Sequence, residues 1–228
     1  MSVISETVDW LTDSTNWSGD DGIPHRLLEH LGYTAETIAI AAVIAIPLGL
    51  WIGHTGRFRS VAVAVTGALR ALPTLGLLTL LALYLGIGLT APLIALVVLA
   101  IPPLLAGAYA GVEAVDPQTV DAARSMGFTE WQILTRVEIP LGLAIIVGGV
   151  RSAVLQVVAT VAVAAFVGPG GLGRYLIDGQ AVSDYPQMAG GSVLVVVLAL
   201  ALDAVFAALQ AFAAGGRPSL RSRARSSP

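Results

Sequence analysis

The stretch ALPTLGLLTLLALYLGIGLTAPLIALVVLAIPPLLAGAYAGV, residues 71–112, contains no charged side chain. As one helix its 42 residues would be about 60 Å long, twice the ~30 Å hydrocarbon core of a membrane. The whole chain of 228 residues is 56% hydrophobic and only 12% charged, about half the charge of a soluble domain. This composition excludes a soluble globular enzyme, a nucleic-acid-binding protein and a disordered chain, and it indicates a polytopic membrane protein.

Five apolar segments are long enough to cross a membrane, so we predict an all-α membrane protein with about five transmembrane helices. The segments cover residues 37–56, 61–85, 92–111, 140–167 and 188–214. The sequence GIGLTAP at 86–92 separates the second segment from the third, because its glycines and proline favour a turn. Pro47, Pro102 and Pro103 lie inside spans, where neighbouring helices can satisfy the backbone groups that a proline frees.

The arginines predict the orientation, because positive charge is retained in cytoplasmic loops. Eight arginines fall on the side that carries the loop at 113–140 and the C-terminal tail, and two fall on the other side. We therefore expect an acidic extracytoplasmic segment at 1–33, a transmembrane domain at 34–214 and a basic cytoplasmic tail at 215–228. Within the first segment, HRLLEHL at 25–31 has the pattern of a short amphipathic helix on the outer surface.

Missing residue types exclude several kinds of chemistry. The chain has no cysteine, and all twelve of its basic residues are arginines, so it has neither a thiolate nor the lysine of a P-loop. His25, His30 and His54 lack metal-ligand spacing, and His54 is expected at the membrane interface. We predict no catalytic residue, metal site or cofactor in this chain, and we expect any ATP and Mg²⁺ to be bound by a partner.

The polar loop at 113–140 has the punctuation of two short helices. Asp116 followed by Pro117 is typical of a helix start, and Gly127 of a helix end. Thr129 and Gln132 have the spacing of a capping box that opens a second helix. A helix–glycine–helix elbow outside the bilayer is expected to insert into a groove on a cytoplasmic partner.

Seven residues of this loop have the spacing of a known motif. They are Asp121, Ala122, Ala123, Gly127, Val137, Ile139 and Pro140. The pattern resembles the EAA loop of ABC-importer permeases, with aspartate in place of the first glutamate. In that family the loop docks on the ATPase subunit. The resemblance therefore implies that these seven residues, which we call the EAA residues, form an ATPase-coupling loop together with Trp131.

The resemblance extends over most of the chain. Residues 70–78 (RALPTLGLL), 123–153 and 166–179 (FVGPGGLGRYLIDG) are similar to permeases that import osmoprotectant quaternary amines such as glycine betaine, choline, carnitine or proline betaine. The resemblance implies the type I importer fold of the methionine-importer permeases and a multi-pass location in the bacterial cell (inner) membrane. It also implies three protein partners: a cytoplasmic ATPase dimer, a second permease subunit and an extracytoplasmic substrate-binding protein. An ABC permease for methionine or another small solute, a secondary carrier and a membrane scaffold are the alternatives.

Two further groups are candidate site residues. Arg151 and Asp203 are ionisable residues at similar membrane depth, and we predict that they form an intramembrane ion pair. Four glycines follow the fourth span, and the family resemblance implies that they contribute to an outer gate. They are Gly168, Gly170, Gly171 and Gly173. Their spacing also matches a dinucleotide fingerprint, but that motif needs a preceding strand, and the sequence predicts a helix there.

Overall fold

The structure is a computed structural model that describes residues 3–168 and 170–215. Every regular element in these residues is helical, as predicted. The helices are α1 (Val3–Thr12), α2 (Ile23–Thr55), α3 (Arg59–Arg70), α4 (Thr74–Leu85), α5 (Thr90–Glu113), α6 (Pro117–Ser125), α7 (Glu130–Ile133), α8 (Ile139–Ala164), α9 (Gly173–Val182) and α10 (Tyr185–Gly215). The expected basic tail at 215–228 lies outside the described residues except for Gly215.

The predicted number of spans agrees with the helix lengths. Four continuous helical stretches are long and apolar enough to cross a membrane: α2, α5, Glu130–Ala164 (which ends with α8) and α10. The consecutive helices α3 and α4 bend by 81° at the break between them, and they make a fifth span if they are counted together. The second apolar segment is therefore two short helices and not one continuous helix, and the bend lies at the Ala71–Pro73 junction, where proline follows the last turn of α3.

The first spanning helix is longer than the sequence analysis predicted. α2 begins at Ile23, with proline in its first turn, and continues without interruption for 33 residues. The stretch 25–31 is therefore part of this helix, and the expectation of a separate surface helix there is wrong. The polar residues that suggested a surface location have partners at the end of the bundle. Arg26 forms ion pairs with Asp21 and with Glu29, the latter at 2.8 Å.

α5 lies at the centre of the bundle, between α2 and α8. Close contacts of small residues explain this packing, because a Cβ atom added at Gly49 would lie 2.7 Å from the Leu105 carbonyl oxygen. On the other face, a Cβ at Gly107 would lie 2.5 Å from the Cα of Gly149. Such approaches of backbone to backbone are typical of helix pairs in membranes. α10 completes the bundle by packing on α8.

The bundle has two distinct ends. We call the end at which the 113–140 loop lies the loop end, and the opposite end the far end. At the far end α1 packs on α10, and Trp10 meets Tyr175 of α9 edge-on with ring centroids 5.1 Å apart. The Tyr175 hydroxyl donates a hydrogen bond to the Asp21 carbonyl oxygen at 2.6 Å, and burial raises the pKa of Tyr175 to about 12. The N-terminal segment is thus a packed part of the far end.

Candidate functional site

The loop between α5 and α8 folds into two short helices whose ends are capped as predicted. Asp116 accepts a hydrogen bond from the Gln118 amide at 2.8 Å and caps α6. Gly127 follows α6 with a φ of +86°, a left-handed conformation that glycine adopts without strain. Thr129 and Gln132 form a reciprocal capping box at the start of α7. The predicted helix–glycine–helix elbow is confirmed.

The first EAA residues lie on a surface that faces away from the bundle. Asp121 and Ala122 are exposed, whereas Ala123 is buried and anchors α6. Trp131 is 71% exposed, and Pro140 at the start of α8 is exposed too. A large exposed aromatic residue beside an exposed short helix provides a surface with which another protein can make contact.

The second half of the loop contains a π-helical turn where the sequence predicted only an ordinary helix. α7 is one turn long, and Leu134–Glu138 then winds as a π helix before α8 begins. The Glu138 residue is only 5% exposed, while Val137 and Ile139 beside it are half-buried. Turns of this kind are rare and often mark functional sites. Here the turn places a carboxylate at the base of a spanning helix.

Arg124 joins the two helices of the elbow through ion pairs. Its Nε and Nη2 atoms donate to both carboxylate oxygens of Glu130 at 2.8 and 3.0 Å. Its Nη1 atom donates to Asp121 at 3.0 Å. The hydrogen bonds to Glu130 raise the pKa of Arg124, with a smaller contribution from the Asp121 charge. Exposed pairs add little stability, but a bidentate pair restricts the angle between α6 and α7.

His54, in the last turn of α2, connects the elbow to the bundle. Its Nδ1 atom lies 2.6 Å from Oε2 of Glu138, and its Nε2 atom lies 3.3 Å from Oε2 of Glu130. The side chains of His54 and Glu138 are only 12% and 7% exposed. The sequence analysis missed both residues. The available signal was Glu138 itself, because an acid at the start of an apolar span needs a partner at the same end.

Arg151 of α8 and Asp203 of α10 lie side by side. The Arg151 Nε and Nη2 atoms donate to the two oxygens of Asp203 at 2.7 and 2.8 Å. A third atom, Nη1, lies 3.4 Å from the side-chain oxygen of Gln210. The side chains of the pair are 31% and 33% exposed on this chain. This arrangement joins α8 to α10 at the depth where an isolated charge would be costly.

The glycine segment at the far end is attached to α2. The Gly171 amide donates to Oε2 of Glu29 at 2.9 Å, and Arg26 donates to the same oxygen at 2.8 Å. Gly170 lies against the Glu29 carboxylate so closely that a Cβ atom would overlap it. Glu29 is a third residue that the sequence analysis missed, since it lies 142 residues from its partner Gly171.

The other two glycines of this segment form the turn into α9. The Gly168 amide donates to the Ala164 carbonyl oxygen at 2.9 Å, which closes the end of α8. A Cβ atom at Gly173 would overlap the backbone of Ala162, so α9 begins in direct contact with α8. The four glycines therefore make a compact turn and not a phosphate-binding loop, because a helix and no strand precedes them.

Among the described residues, no group of three His, Asp or Glu side chains is placed to hold a metal ion. The candidate functional features of these residues are instead a surface elbow, its connection to α2, an ion pair between spans and a far-end turn.

Comparison with known proteins identifies the architecture. The family model described as "binding-protein-dependent transport system inner membrane component" matches residues 45–214. The chain belongs to this family. The match covers the elbow, the spans from the second half of α2 onward and the far-end turn, and it confirms the resemblance that the EAA residues indicated. It also confirms that the chain is a non-catalytic permease subunit of the inner membrane, and it sets aside the secondary carrier and the scaffold.

Several relatives are similar over most of the chain. The carnitine transport permease protein OpuCB of Listeria monocytogenes is 30% identical over 78% of this chain and 84% of its own length. The osmoprotectant import permease protein OsmW of Salmonella typhimurium is 30% identical over 90% of this chain and 95% of its own. The choline transport system permease protein OpuBD of Bacillus subtilis is 28% identical over 92% and 91%.

A solved structure supports the fold. The inward-facing MetNI methionine ABC transporter contains a chain that superposes with a TM-score of 0.72, covering 82% of this chain and 93% of that one at 23% identity. At this identity the likeness concerns the fold alone, and it confirms the methionine-importer-like arrangement of helices that we predicted.

Proposed function

We propose that this chain is the permease subunit of an ATP-driven importer for osmoprotectant quaternary amines of the glycine betaine, choline and carnitine type. The observation that carries this proposal is the similarity, over most of the chain, to permeases named for carnitine, choline and osmoprotectants. The similarity to the methionine transporter is lower in identity and supports the fold only. Methionine is therefore the second candidate cargo.

The proposed complex contains three kinds of protein component. Two permease subunits, either two copies of this chain or this chain and a sister chain, line the pathway. A cytoplasmic ATPase dimer binds ATP and Mg²⁺ and lies against the 113–140 loops, and an extracytoplasmic binding protein delivers the solute to the far end. In this arrangement the loop end is cytoplasmic, as the arginine distribution favours.

The proposed mechanism uses the elbow as the contact that moves. When ATP closes the ATPase dimer, α6 is displaced with it, and the bundle changes between inward-open and outward-open states. The exposed Asp121 and Ala122 and the exposed Trp131 supply the docking surface. Gly127 keeps the elbow sharp, because a side chain with a branched Cβ is strained at a φ of +86°.

The far-end glycines have a role in the same proposed cycle. They form the outer gate by holding α9 against α8, with Gly170 and Gly171 attached to Glu29 of α2. Because α9 is packed on both α8 and α10, a relative movement of these spans reaches the turn directly.

A reconstituted complex with the ATPase and binding protein tests the cargo. We expect uptake of labelled glycine betaine that depends on ATP, with no uptake of labelled methionine. Uptake of methionine instead would assign the chain to the second candidate, and uptake of neither would reject both.

Substitution of the elbow glycine tests the coupling role. We expect Gly127→Val to insert and assemble normally, because Gly127 lies in a surface turn, but to lose betaine-stimulated ATP hydrolysis. The matched control is Gly86→Val, which places the same side chain at another glycine of positive φ (+91°), in the turn that follows α4 and away from the elbow. Stimulation at the wild-type level in Gly127→Val would contradict the coupling role.

A further inference from the structure

The chain of charged groups at the loop end continues from the surface of the elbow into the bundle. It passes from Asp121 through Arg124 and Glu130 to His54, and ends at Glu138. The first three of these side chains are about half exposed or more, and the last two are nearly buried. A surface contact on α6 is thus connected, through hydrogen-bonded and ionic groups, to the last turn of α2 at the loop end.

His54 occupies the one position in this chain of groups that belongs to α2. The two nitrogens of its ring lie at 2.6 and 3.3 Å from carboxylate oxygens of two different residues. The ring is therefore the link between these two carboxylates.

The π-helical turn at Leu134–Glu138 brings the second carboxylate to His54. Glu138 is the last residue of this turn, and it lies at the base of α8. His54 therefore contacts the elbow through Glu130 and the start of α8 through Glu138. Since α2 also packs tightly on α5 at Gly49 and Gly53, where added Cβ atoms would lie 2.7 Å from α5 backbone oxygens, a displacement of His54 is passed to the centre of the bundle.

We propose that His54 is a positioning residue for coupling, which joins the elbow to the first spanning helix so that α6, α2 and the base of α8 move together. This inference rests on the proposed coupling function and adds to it the route by which movement enters the bundle. Without the imidazole, α6 and α7 would still dock on the ATPase, but their displacement would be taken up by the turn at Gly127 and the π-helical turn.

The experiment compares His54 variants in the reconstituted complex. We expect His54→Ala to assemble and hydrolyse ATP, but to lower the amount of glycine betaine moved per ATP by about tenfold, within the range of measured coupling between sites. His54→Arg should recover most of the ratio, because its guanidinium can donate to both carboxylates. Thr55→Ala is the control, since Thr55 is the next residue of α2 and its hydroxyl bonds to nearby backbone groups, donating to the Trp51 carbonyl oxygen and accepting from the Arg57 amide.

A distance measurement separates positioning from a general loss of structure. The chain has no cysteine, so Arg57→Cys and Ser125→Cys introduce one nitroxide label beyond α2 and one on α6. In the wild-type background we expect the distribution of distances between the two labels to remain narrow when ATP is added. In the His54→Ala background we expect this distribution to broaden or shift, and in the His54→Arg background we expect it to be narrow again.

If His54→Ala fails to assemble, Glu130→Gln replaces it. The Glu130 side chain is 57% exposed, so this change leaves the buried part of the bundle intact. We expect a smaller decrease in betaine moved per ATP, together with a broader distribution of label distances. The inference is overturned if His54→Ala matches the wild type in transport per ATP. It is also overturned if the ratio falls while the label distance stays unchanged and His54→Arg recovers nothing.

Failure of the proposed function gives a different result. A wild-type complex that hydrolyses ATP but moves no betaine would reject the proposed cargo. The role of His54 would then be decided by the label distances, because that measurement needs ATP but no transported solute. In that case, equal distances in the wild-type and His54→Ala backgrounds overturn the inference, and different distances support it.

Discussion

The guanidinium of Arg151 and the carboxylate of Asp203 meet through two parallel hydrogen bonds. This bidentate geometry suits a planar arginine better than a lysine, and the chain has arginines only. About a third of each side chain is exposed on this chain, so the pair lies at the edge of the α8–α10 contact and not at its centre. Its contribution is to hold the two helices in register, because a slip by one turn would separate both charges.

Charge reversal tests the pair at the level of the two residues. We expect each single variant, Arg151→Glu or Asp203→Arg, to reduce the amount of folded protein and the uptake of glycine betaine, because each places two like charges side by side in the membrane. The double variant should recover part of both, since it restores opposite charges. Thermal unfolding in detergent and betaine uptake measure the effect, and a double variant no better than either single one would reject the pairing as a cause of stability.

Residues of the loop end differ in how far local sequence predicts them. The caps at Asp116 and Thr129 and the turn at Gly127 follow from neighbours within three residues, so the sequence alone was sufficient. The contact of His54 with Glu138 joins residues 84 positions apart and depends on the π-helical turn. Neither the packing of α2 on α8 nor that turn has a local signal, so this part of the site required the structure.

At the scale of elements, the packing of α5 on α8 depends on glycines of both helices. Gly142 of α8 lies so close to Gly111 of α5 that an added Cβ would overlap the Gly111 carbonyl oxygen. Further from the loop end, Gly107 of α5 and Gly149 of α8 make a similar contact. Without a hydrophobic driving force between helices in lipid, such close packing supplies much of the attraction.

Enlarging one of these glycines should separate the two helices. We expect Gly142→Ala to destabilise the protein by about 1–3 kcal/mol, because the obstacle is backbone and cannot rotate away. Gly67→Ala in α3 is the matched control, since a Cβ there meets no atom within 4 Å and alanine favours a helix. The unfolding midpoints of the two variants are compared for the isolated subunit in detergent. Equal midpoints would show that the close approach of α5 and α8 does not contribute to stability.

The elements that sequence predicted least well are those whose polar groups find distant partners. The far-end part of α2 contains Arg26 and Glu29, polar residues that predict a surface segment. In the structure, however, Glu29 accepts a hydrogen bond from the Gly171 amide. The bend between α3 and α4 has a proline at Pro73, yet its angle of 81° has no counterpart in the hydropathy pattern. By contrast, α5, α8 and α10 were predicted within a few residues, because an uninterrupted apolar run has few alternatives in a membrane.

For the whole molecule, the distribution of arginines distinguishes the two ends. The far end includes the acidic residues of the first 33 positions, and Asp21 and Glu29 among them are paired with a single arginine, Arg26. At the loop end, Arg57, Arg59, Arg124 and Arg136 flank the spans. The retention of arginines in the cytoplasm therefore favours one orientation for the entire bundle, in which the elbow faces the ATPase compartment.

Single-cysteine labelling tests this orientation, and the absence of native cysteine makes each label specific. We introduce Asp20→Cys, on the exposed far-end segment, or Ser125→Cys, on the exposed side of α6. A membrane-impermeant maleimide should modify the first in intact spheroplasts and the second only after permeabilisation, with the unsubstituted chain as the control. The reverse pattern would overturn the orientation. It would also overturn the proposed coupling, because a permease whose elbow faces outward has no access to an ATPase that uses cytoplasmic ATP.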